Sequence, residues 1–132
     1  MSSAEYERHS LLNRIYDINE KTFGTVATDV WRYQYYRNGL YRSYCHLIGK
    51  TIESVTSIEE IPFLPIAMFR EHDIQSGDWV PEKIFRSSGT TGAVQSKHLV
   101  RHLTHYHQNA WTCFSSLFGD PGEFVWLGLL PS

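Results

Sequence analysis

The chain has 132 residues, 42% of them hydrophobic and 20% charged, which is the size and composition of one ordinary folded domain. Its formal net charge of -2 leaves no basic excess for gripping nucleic acid or an anionic membrane surface. No apolar run approaches the ~20 residues that span a bilayer. The polar opening Met1-Ser2-Ser3-Ala4-Glu5, followed by Glu7 and Arg8, is not a signal peptide. The two cysteines, Cys45 and Cys113, lie far apart without a CxxC or metal-ligand spacing. They predict reduced thiols in a cytoplasmic protein, with Cys113 a core residue inside a helix.

Three helices are predicted in residues 1–50. The first begins at a possible capping box, Ser2 to Glu5, and carries Leu11, Leu12, Ile15 and Ile18 at helical spacing. The second covers about Thr25 to Arg37 and stops at Asn38-Gly39, two residues that tolerate positive φ. The third, Leu40 to Ile48, closes at Gly49 with Leu40, Tyr44, Leu47 and Ile48 on one face.

Residues 51–82 read as a connecting segment. Ser57 to Pro62 offers a short capped turn, Pro65 stands at the first position of a short helix through Arg70, and Ser76-Gly77-Asp78 forms a tight turn. In residues 83–132 the pattern changes to strand, loop, strand, helix and strand. Lys83 to Arg86 and His98 to Val100 are short strands. Leu103 to Phe118 is a helix that Thr104 can cap, with Gly119 past its end. The apolar run Phe124 to Leu130 has the character of a strand buried on both faces of a sheet. A central strand so close to Ser132 predicts a truncated piece of a longer protein, with an open sheet edge through which copies pair as a homo-oligomer.

The sharpest feature is Ser87-Ser88-Gly89-Thr90-Thr91-Gly92. Two glycines let the backbone approach a ligand closely, and four hydroxyls with exposed N–H groups suit phosphate oxygens. It is neither a Walker A loop nor a Gly-x-Ser-x-Gly nucleophile elbow.

This string resembles the phosphate-binding motif of the adenylate-forming superfamily, which includes acyl-CoA synthetases and phenylacetate-CoA ligases. The stretch Ile61 to Phe69 and the ending Leu129-Leu130-Pro131-Ser132 look like the acyl-protein synthetase (LuxE-like) family, fatty-acid-activating components of bacterial luciferase-linked reductases. The resemblance covers roughly Tyr33 to Ser132. It implies an α/β or α+β fold in which N-terminal helices precede the start of a mostly parallel sheet. It also implies ATP-dependent activation of a carboxylic acid such as a fatty acid, with Mg2+, through an acyl-adenylate that passes its acyl group to a thiol. That thiol belongs to a protein or, in the phenylacetate-CoA ligase-like alternative, to coenzyme A. Ser87, Ser88, Gly89, Thr90, Thr91 and Gly92 would contact the β- and γ-phosphates. Where the family has proline and then lysine, Val94 and Gln95 stand here, and Lys97 is the nearest source of the charge. The adenine-binding motifs, the lid lysine and the acceptor cysteine of such enzymes lie further along, so this chain alone is not expected to turn over. A non-catalytic interaction module that keeps the loop as scaffold is the alternative from another class.

His98, His102, His105 and His107 crowd one stretch, but no carboxylate, cysteine or HExxH pattern joins them, which predicts solvated or capping imidazoles. The aromatics and arginines from Trp31 to Tyr44 suggest base stacking, yet their helical spacing predicts packing of a helical core.

Overall fold

The computed structural model describes residues 3–87 and 95–128. Among the described residues five α-helices and two strands, with two short 3-10 turns at Ile58–Glu60 and Pro121–Glu123, follow one another: α1 Ser3–Tyr16, α2 Phe23–Arg37, α3 Gly39–Leu47, α4 Met68–Glu71, β1 Lys83–Arg86, β2 Lys97–Val100 and α5 Leu103–Phe118. The chain divides into two compact units, one made of Met1–Asp78 with Arg86–His98, the other of Trp79–Phe85 with Leu99–Ser132.

In the first unit α2 packs against both α1 and α3. Ion pairs accompany the first contact, Arg14 with Asp29 at 2.8 Å and Arg37 with Glu7 at 3.0 Å. Asn38 joins α2 to α3 in an extended conformation, and its side chain accepts a hydrogen bond from the Tyr41 amide at 3.0 Å. The expected positive-φ turn is therefore an N-cap, because a short amide side chain satisfies the orphan donor that starts α3. Gly49 does adopt positive φ, 70°, and α3 ends there.

The core is aromatic. Trp31, Tyr35, Tyr41, Cys45 and Val55 are buried together, with Tyr44, Ile52, Ile61 and Leu64 packed around them. The Tyr41 hydroxyl donates to the Pro62 carbonyl at 2.5 Å, and Tyr35 Oη shares a hydrogen bond with His46 Nε2 at 2.6 Å. Those partners let phenols sit inside, since a buried polar tip is costly only when unpaired. The inward face of α3 is thus Tyr41 and Cys45, not the expected Leu47 and Ile48, which are exposed. Burial of Trp31, Tyr35 and Tyr41 removes them as base-stacking surfaces.

The turn at Ile58–Glu60 carries the expected capping box between Ser57 and Glu60. The helix expected from Pro65 starts three residues later, at Met68, after a turn in which the Met68 amide donates to the Pro65 carbonyl.

β1 and β2 form a two-stranded antiparallel sheet, so the fold among the described residues is α+β. Only ten residues separate the strands. A parallel crossover needs about a dozen or more, so the pair has to be a hairpin. The mostly parallel sheet of the sequence reading is not found among the described residues.

In the second unit, Glu82 Oε2 accepts from the Leu103 amide at 2.9 Å and caps α5 in place of Thr104. Gly119 ends the helix at φ 94°. Phe124–Gly128 form no strand, and Val125 and Leu127 are almost fully exposed, against the expectation of a doubly buried strand. Phe124 and Trp126 turn instead onto Phe114, with ring centroids 5.3 and 5.0 Å away. Cys113 is exposed, not a core residue, because no residue of α5 is buried. No helix among the described residues is long and apolar enough to cross a membrane.

Candidate phosphate-binding site

The glycine- and hydroxyl-rich loop leaves β1 and returns to β2. Ser88, Gly89, Thr90, Thr91 and Gly92 lie outside the described residues, and so do Leu129 to Ser132. The two feet of the loop are described. The Ser87 amide donates to the Ser96 carbonyl at 3.1 Å, and the Ser96 amide donates to Ser87 Oγ at 3.0 Å. This two-bond clasp closes the neck and fixes where the loop starts and finishes. The Ser87 N–H is thereby used at the neck. Its hydroxyl accepts there, which leaves that group its own proton to donate.

The return foot is fastened to the segment around α4. Lys97 Nζ pairs with Asp73 Oδ1 at 2.5 Å. The His98 imidazole stacks on Phe69, with centroids 5.1 Å apart and planes 25° from parallel. Arg86, at the outgoing foot, is exposed. Two cationic side chains, Arg86 and Lys97, therefore flank a neck built from a buried Ser96 and an exposed Ser87. The sequence reading names Ser87 and Lys97 at the neck but not their partners Ser96 and Asp73. Ser96 was legible in principle, as the hydroxyl-bearing residue just before the return strand. Asp73 carries no sequence signal, being 24 positions from its partner.

Among the described residues no group of three or more His, Cys, Asp or Glu is found that could hold a metal ion. His102 Nδ1 lies 3.9 Å from Glu82 Oε2 and its ring meets His105 edge-on. Acidity is perturbed both in the core and on the surface. Burial pushes the Tyr35 and Tyr41 phenols and the Cys45 thiol up, which favours their neutral forms. On the surface, the Thr56 amide and hydroxyl bring Glu60 down to about 2.

No protein-family model, no curated protein and no solved structure matches the chain. Two shallow hollows of about 320 Å³ flank α2. One is lined by Arg14, Asp17 and Lys21, the other by Thr28, Asp29 and Arg32. Both mix the two signs of charge and select no ligand class.

Proposed function

We propose that the chain provides the nucleotide-phosphate loop of an ATP-dependent carboxylate-activating enzyme of the acyl-protein synthetase type. The observation that carries this reading is the string Ser87 to Gly92 strung from a neck whose feet are clasped to each other. A pinned neck lowers the entropy that a loop loses when it closes on a polyanion. Arg86 and Lys97 supply positive charge at the two feet.

In the proposed reaction a carboxylate oxygen attacks the α-phosphorus of ATP, the bond to the β-phosphate breaks, and pyrophosphate leaves. A thiolate then attacks the acyl carbonyl and AMP departs. The loop holds the β- and γ-phosphates through both bond changes at phosphorus, so its role is positioning and charge stabilisation rather than proton transfer. Backbone N–H groups, the hydroxyls of Ser88, Thr90 and Thr91, and Lys97 released from Asp73 suit phosphate oxygens. Mg2+, if it accompanies the nucleotide, would supply further neutralisation of the phosphate charge. The hairpin would attach to a mostly parallel sheet supplied by the remainder of such an enzyme.

The pairing of Lys97 with Asp73 favours a second reading, an interaction module that keeps the loop as scaffold. Thermal protection separates the two. Mg·ATP at millimolar concentration raises Tm if the loop binds phosphate, and Thr91→Ala abolishes the rise. Equal behaviour of both proteins favours the scaffold. In an enzyme carrying this loop, dependence of thioester formation on coenzyme A rather than on a protein thiol identifies the phenylacetate-CoA ligase-like alternative.

A further inference from the structure

The second unit leaves an unusual amount of apolar surface uncovered. Trp111, Leu117, Phe118, Val125, Trp126 and Leu127 are between 57% and 92% exposed. Within that unit the ring contacts of Phe114 with Phe118 and with Trp126, each at 5.0 Å, join the apolar side of α5 to the segment after it. The six side chains leave roughly 800 Å² open, taking ~150–250 Å² for a whole aromatic side chain and less for an aliphatic one. The largest apolar patch on a monomer is about 300–600 Å². One side of a standard protein interface is about 800 Å².

We infer that this surface of α5 and Phe124–Gly128 is the contact through which two copies of the chain associate. Two observations select a second copy as the occupant. The area matches what each partner of a stable dimer contributes. The sixteen residues of α5 also include no Asp, Glu, Lys or Arg, so a two-fold contact of the helix with itself brings no like charges together. In such an isologous interface the same patch serves both partners and the assembly closes at two. Among the described residues Phe124–Gly128 form no strand, so they offer no edge for strand pairing. The inference is independent of the nucleotide reading: a chain that dimerises but binds no ATP leaves it standing.

Sedimentation equilibrium from 1 to 100 µM tests it on the full chain. The expected result is a reversible species of twice the chain mass. Leu117→Glu and Trp111→Glu, at exposed positions where the fold tolerates charge, weaken its dissociation constant at least a hundredfold with unchanged circular dichroism. Phe63→Glu, at a still more exposed position in the other unit, leaves the constant unchanged. A single-chain mass throughout, which would leave the face to a different partner, overturns the inference. So does a dimer indifferent to Leu117→Glu, or open-ended growth with concentration.

Discussion

Ser87 and Ser96 hold each other by two hydrogen bonds, amide to carbonyl at 3.1 Å and amide to hydroxyl at 3.0 Å. The buried Ser96 amide has the Ser87 oxygen as its acceptor, so Ser87→Ala strands a buried donor. Such a loss costs about 1–3 kcal/mol, and the half-open neck places the expected value near the lower end. Ser87→Thr keeps the oxygen and restores most of it. Urea denaturation of the three proteins checks the ranking.

Lys97 and Asp73 form a partly exposed pair, and such pairs contribute about 0–1 kcal/mol. Asp73→Asn is therefore expected to leave the urea midpoint nearly unchanged. It removes the competitor for the Lys97 ammonium, so affinity for Mg·ATP rises several-fold at low salt, and the gain shrinks as salt screens the charge. Calorimetry at two ionic strengths reads both effects.

Glu60 sets an acid-sensitive element. Its carboxylate accepts from the Thr56 amide at 2.8 Å and the Thr56 hydroxyl at 3.0 Å, which lowers it to about 2 from 4.5. A carboxyl group lowered in the folded state stabilises it fully above the unfolded value, and the contribution fades as pH falls from 4.5 through 2. Glu60→Gln is expected to melt below the parent at pH 7, with the gap closing across that window. Parallel melts from pH 7 to pH 2 test the sign.

Cys113 is exposed and Cys45 buried with its thiol pushed up by desolvation. A thiol reagent should modify Cys113 within minutes in the native protein and Cys45 only in denaturant. Cys113→Ser abolishes the fast phase.

The ends of α3 and α5 were legible in the sequence because their signals are local. Gly49 and Gly119 stop α3 and α5, and the Ser57–Glu60 box starts its turn, through backbone geometry and caps that neighbours supply. The inward face of α3 was not legible. Choosing Tyr41 over Leu47 depends on the Pro62 carbonyl meeting its hydroxyl, a contact 21 residues away. The run from Phe124 read as a buried strand on composition alone. Burial requires a covering layer, and in the described residues Phe124 and Trp126 pack on Phe114 and on each other, the Trp126 indole donating to the Pro121 carbonyl, while Val125 and Leu127 stay exposed. At the candidate site Ser87 and Lys97 were visible as residue types, while the clasp to Ser96 and the tie to Asp73 are tertiary facts.

Titration calorimetry of the chain with Mg·ATP tests the proposed phosphate loop most directly. The expected result is one saturable site, competed by pyrophosphate and weakened at least tenfold, about 1.4 kcal/mol, by Thr91→Ala. Absence of saturable heat up to millimolar nucleotide, or binding that Thr91→Ala leaves intact, contradicts it.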